Sequence, residues 1–94
     1  MMNIEKGCLN SELHGLVSIA GRCRKKGDLK AAETLLKHAL RKAEDRFGLM
    51  SIPVAVVLLE LVELHEDSND ADAARIAHKR MRQIIVSVID NTDN

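Results

Sequence analysis

Asp28 and Asp70 stand 42 residues apart, and their surroundings agree. Gly27 precedes the first and Asn69 the second; Gly and Asn best tolerate the left-handed conformation in which many helices end. An aspartate just past such an end caps the next helix, because its carboxylate accepts from free N–H groups of the first turn. The same shift superposes Ala31 on Ala73, Ala32 on Ala74, Leu35 on Ala77 and Lys37 on Lys79. Upstream it places Leu16 on Leu58, Val17 on Leu59, Ile19 on Leu61 and Ala20 on Val62. The chain therefore reads as two copies of a helix–turn–helix unit, and such a chain builds its core by stacking one copy on the other.

The apolar spacing predicts four helices. The first runs from about Ser11, its cap, to Lys26, with Leu13, Leu16, Val17, Ile19, Ala20 and Cys23 on its apolar side. The second opens at Asp28 and carries Ala31, Ala32, Leu35, Leu36, Ala39, Leu40 and Ala43 at three- and four-residue steps, up to Gly48. The third begins near Ser51, with Pro53 in its first turn, where a missing N–H costs nothing. Its segment "VAVVLLELVELHED" is apolar over more than half its circumference, so it is expected at the centre, packed from several sides. The fourth opens after Asp70 and sets Ala73, Ala74, Ala77, Met81, Ile84, Ile85, Val88 and Ile89 on one face. Short turns imply antiparallel neighbours. The predicted layout is an N-terminal segment 1–10, a first unit 11–48, a second unit 51–90, and a polar, frayed tail 91–94.

Composition supports an all-α domain. With 46% hydrophobic residues but one Phe and no Trp or Tyr, the core must come from aliphatic helix faces, which argues against a sheet. Net charge is zero, yet residues 1–50 hold ten basic and six acidic residues (+4) and residues 51–94 four and eight (−4). A neutral chain without stacking aromatics exerts no general pull on nucleic acid. A charge-split one attracts a dipolar partner or its own copy. Cys8 and Cys23 form neither a disulfide framework nor a zinc pattern. No apolar run reaches membrane-spanning length, and "MMNIEKGCLN" lacks a signal-peptide pattern, so a reducing cytoplasm is the expected setting.

The stretch "LVSIAGRCRKKGDLKAAETLLKHAL" resembles a tetratricopeptide repeat, through Leu16, Ile19, Ala20, Cys23, Gly27-Asp28, Ala32, Leu36 and Ala39. The long period is similar to the extended variety found in kinesin light chains, with "EDRFGLMSIP" as its longer linker. The likeness spans roughly residues 11 to 90 and is weaker in the second copy, where Val62, His65, His78 and Met81 replace small or bulky apolar residues. It implies a right-handed solenoid fragment whose first helices line a peptide-binding groove. Carried over, that groove comprises His14, Val17, Gly21, Arg24 and Lys25 from copy one, and Val56, Leu59, Glu63, Glu66 and Asp67 from copy two. Such a groove has a basic end, an acidic end and apolar residues between. The subclass that clamps chaperone tails needs a Lys and an Asn where this chain has Val17 and Gly21, so that ligand is not expected.

No chemistry competes with this reading. The four histidines lack zinc-site spacing, and His65 and His78 are expected inside the packed repeat. Cys23 reads as a small hydrophobe, and Cys8 has no partner nearby in sequence. Glu60, Glu63, Glu66 and Asp67 share a helix face, as a solvated polar surface does. The expectation is a non-catalytic protein–protein interaction module without metal or cofactor. Because two repeats bury little surface alone, the fourth helix should leave Ile76, Ile84 and Val88 uncovered for a homodimer. The alternatives are a fragment of a longer repeat array, whose neighbours would cover the same patch, and a nucleic-acid-binding helical repeat. Met1 and the polar tail lead to the expectation of a whole protein.

Overall fold

The computed structural model describes residues 3–92, with side chains from Ser11 to Asn91. It contains α1 (Asn3–Lys25), α2 (Leu29–Phe47), α3 (Ile52–Asp67) and α4 (Ala71–Thr92), and all the regular structure described is helical.

The turn chemistry read at Asp28 and Asp70 is reproduced bond for bond. At the end of α1, the N–H groups of Lys26, Gly27 and Asp28 donate to the carbonyls of Arg22, Arg24 and Cys23. At the end of α3, Ser68, Asn69 and Asp70 donate to Leu64, Glu66 and His65, each bond displaced by 42 residues. Both are Schellman ends, with the left-handed position filled by Gly27 (φ +88°) and by Asn69 (φ +59°). An added Cβ at Gly27 would meet nothing within 4 Å, so glycine is there for its backbone and not for space. The caps repeat as well: Asp28 Oδ1 accepts from the Ala31 N–H at 3.2 Å and Asp70 Oδ1 from the Ala73 N–H at 3.1 Å. The two units are thus equivalent at the level of individual hydrogen bonds.

Each unit is a helical hairpin, α1 with α2 and α3 with α4. Lys42 Nζ meets a Glu12 carboxylate oxygen at 2.9 Å at the end of the first hairpin remote from its turn, which fixes α1 and α2 as antiparallel. The hairpins join through α2 against α3, with α1 touching α3 more lightly. Ala32, Ala39 and Ala43 are fully buried on α2, and their small side chains let the neighbouring helices approach closely. Helix α3 supplies Val54, Ala55, Val57, Leu58, Leu61, Val62 and Leu64 to the core, as its apolar circumference demands. Arg80 on α4 reaches a Glu44 carboxylate oxygen on α2 at 2.6 Å, a half-buried link between the outer layers.

Several expectations are corrected. Helix α1 begins at Asn3, so Ser11 lies within it and Cys8 does not precede it; nothing between Asn3 and Ser11 breaks a helix. The connection between hairpins is only residues 48–51, because "EDRF" completes α2 and Ile52-Pro53 opens α3. The extra length of the period is helix, not loop. His65 is only half-buried and His78 is exposed. Ile84 is not uncovered: it is 0% exposed and sits in the core, while Val88 is half-buried against the same cluster. Of the predicted self-association trio only Ile76 is open. Ile84 faces α3, and Ile76 lies eight residues earlier, turned about 80° round the helix at 100° per residue.

Ile84→Ala should therefore cost about 2–5 kcal/mol, the price of a core cavity. Ile76→Ala should stay within about 0.5 kcal/mol, as exposed substitutions do. Urea denaturation of the two variants measures the difference.

Candidate peptide-binding groove

Helices α1 and α3 open their hairpins and lie side by side, and each presents a stripe at heptad spacing along the surface between them. On α3 the stripe is Ile52, Val56, Leu59 and Glu63, where a helix brings every third or fourth residue to one face. On α1 the facing positions are His14, Val17, Gly21 and Arg24. Ile52, Val56 and Leu59 are each about half exposed, Val56 at 48%, although all three are large and apolar. With Leu13, His14, Val17 and Pro53, the residues Ile52 and Val56 line a trough of about 240 Å³. Gly21 has only open space beside it, so the α1 wall is interrupted between Val17 and Arg24.

The polar end differs from the expected arrangement of basic against acidic termini. Arg24 crosses from α1 to α3 and is held by two carboxylates, Nη1 to Asp67 Oδ2 at 2.9 Å and Nη2 to Glu63 Oε1 at 3.2 Å. The Asp67 hydrogen bond holds the guanidinium charge most strongly, with Glu63 adding to it. The Arg24 Nε atom is buried without a hydrogen-bond partner, so the fork is aimed at these acids at some local cost. Glu60, which was not among the predicted groove residues, lies one turn before Glu63 on α3. Burial, then the charge of Glu63, push its carboxyl above the ordinary range, and Arg24 opposes them. One guanidinium among three carboxylates, +1 − 3 = −2, leaves this end of the groove acidic.

The remaining predicted residues divide. Lys25 is exposed at the end of α1. Glu66 turns away from α1 and lines a separate cleft with Val62, Ala71, Ala74, Arg75 and His78, between α3 and α4. The structure thus brings together His14, Val17, Val56, Leu59, Arg24, Glu63 and Asp67, and separates Glu66. The signal for Glu60 was present in the sequence, since it stands three residues before Glu63 and seven before Asp67. Its partial burial was not.

A carboxyl raised in the folded chain is destabilising when ionised, so its cost is present at neutral pH and disappears as the pH falls through the raised value. Glu60→Gln should raise the melting temperature by on the order of 2 °C at neutral pH, a small gain because the site is partly solvated. The gain should vanish in acid, where the wild-type carboxyl is itself neutral. Thermal melts across the acidic range test both statements.

Comparison of the chain with protein-family models, with curated proteins and with solved structures finds no match.

Proposed function

We propose that the chain is a tetratricopeptide-like interaction module whose α1/α3 groove receives a peptide or an amphipathic helix. The observation that carries this reading is the apolar trough between Val17 and Val56. Large aliphatic side chains stay half exposed there while their neighbours Val54, Val57 and Leu58 are buried. Contiguous exposed apolar surface with a charged rim is the mark of a docking site. The hydrogen bonds repeated at 42 residues support the repeat assignment, because stacked units place successive first helices on one side and so create such a groove.

The groove holds its ligand through its floor and its rim by different physics. An aliphatic or aromatic side chain entering the trough displaces water from Leu13, Val17, Ile52 and Val56, at about 25 cal/mol for each Å² of apolar surface removed. The rim orients the ligand by charge and contributes more to specificity and association rate than to affinity. Arg24 is a strut of this rim more than a ligand contact: reversing its charge would break two internal ion pairs before touching any peptide.

An 18-residue Leu/Lys amphipathic helical peptide is a suitable probe. On adding it, the methyl resonances of Val17, Ile52, Val56 and Leu59 should shift, and those of Leu36 and Ile84 should stay fixed. Val56→Asp places a charge in the trough at an exposed position, so it should weaken binding at least about tenfold while leaving the fold intact. Shifts confined to α2, or undiminished affinity in Val56→Asp, would remove the groove from the site.

A further inference from the structure

Helix α4 packs on α3 through one side only, and its opposite side is an open surface shared by Arg75, Lys79, Arg82, Val86 and Asp90. Val86 is 55% exposed. Lys79, Arg82 and Asp90 enter no ion pair among the described residues, and Arg75 has only an exposed local partner, Asp72. The surface is therefore basic toward the start of α4, with Val86 as its apolar residue and the polar Ser87, Asp90 and Asn91 beyond it. The groove is apolar toward the start of α3 and acidic toward its end.

The charged positions of the two patterns match in opposite chain directions when counted from one apolar residue on each helix. Counting from Val86, the basic residues stand 4, 7 and 11 positions earlier: 86 − 82, 86 − 79 and 86 − 75. Counting from Val56, the carboxylates stand 4, 7 and 11 positions later: 60 − 56, 63 − 56 and 67 − 56. Both helices rise about 1.5 Å per residue, so charges and apolar anchors are set at equal intervals of about 6, 10 and 16 Å. A helix laid antiparallel along α3 with Val86 over Val56 brings Arg82 to Glu60, Lys79 to Glu63 and Arg75 to Asp67.

We propose that α4 of a second copy of this chain occupies the α1/α3 groove in that antiparallel register. The inference rests on the groove being a docking site and names its occupant. The charges suit the pairing: three cations meet an acidic end carrying a net −2, and Glu60, which feels Arg24 without pairing with it, gains a direct partner. Glu63 and Asp67 each keep Arg24 as a second partner. Because groove and α4 surface are different patches of one chain, the contact is heterologous. A contact made once leaves one groove and one α4 face free, so association either continues head to tail or closes when two copies make the contact reciprocally. This replaces a closed homodimer built on Ile76, Ile84 and Val88. One helix face on two helices buries on the order of 1,000 Å², the size of a weak, reversible contact.

Sedimentation of the full chain from about 10 µM to about 1 mM, the range a contact of this size calls for, tests the proposal. The average mass should rise with concentration above that of the monomer, and added salt should lower it. Arg82→Glu and Glu60→Lys should each shift the association to at least about tenfold higher concentration, with circular dichroism confirming that both fold. An equimolar mixture of the two should recover it, because every contact between unlike copies again sets opposite charges at positions 82 and 60. A monomer at every concentration, or a mixture no better than its components, would overturn the proposal. A chain that stays monomeric yet still binds the Leu/Lys peptide would overturn this inference and leave the groove standing.

Discussion

Helix α3 is apolar over most of its circumference, and the rest of the chain is arranged by the need to cover it. Two of its flanks are taken by α2 and α4, and a third is partly shielded by α1. The alanines of α2 bring that helix close, and Ala74, Ala77 and Ile84 do the same from α4. Three helices around a fourth still leave one strip, the line of Ile52, Val56 and Leu59. The groove is the remainder of an incomplete burial. A hydrophobic strip that the fold cannot cover is maintained only at some cost in solubility, which is why it reads as a place for a partner.

The end of that strip is shaped by a single side chain. Arg24 spans α1 and α3, and without it Glu60, Glu63 and Asp67 would crowd three like charges into two turns of α3. The guanidinium neutralises only part of them, which fixes the relative position of the two helices and leaves the rim acidic. The Lys42–Glu12 and Arg80–Glu44 pairs act elsewhere in the same way, each joining different helices at half-exposed sites. Such pairs add little stability individually. Their contribution here is register, since every one of them spans two elements.

What could be read from the sequence divides along a physical line. Features set by local chemistry were legible: the Gly27-Asp28 and Asn69-Asp70 turns, the aspartate caps, Pro53 in the first turn of α3, and the central place of α3. Features set by which helix faces which were not. Ile84 and Ile85 are neighbours of equal hydrophobicity, and only the packing decides that the first is buried and the second open. The start of α1 was missed because Ser11 caps and continues helices with similar ease. The Arg24 bridge joins residues 39 and 43 positions apart, and no spacing rule within one helix could propose it.

The unequal quality of the two repeats also has a positional cause. Position by position, Leu36 corresponds to His78 and Ala39 to Met81 (36 + 42 and 39 + 42). Helix α2 lies between α1 and α3, so it is packed on both sides: Leu36 is buried, and the small Ala39 is fully buried. Helix α4 has a neighbour on one side alone, so His78 is exposed and Met81 has room. The reverse holds in the first helices, where Ile19 at the open edge is half exposed and its counterpart Leu61 is buried. Two of the departures of copy two, His78 and Met81, therefore fall on the helix packed from one side, whereas Val62 and His65 lie on the central helix. The side of α4 turned away from α3 carries Arg75, Lys79, Arg82 and Val86, so the helix that departs most from the repeat pattern is also the one that shows a patterned surface.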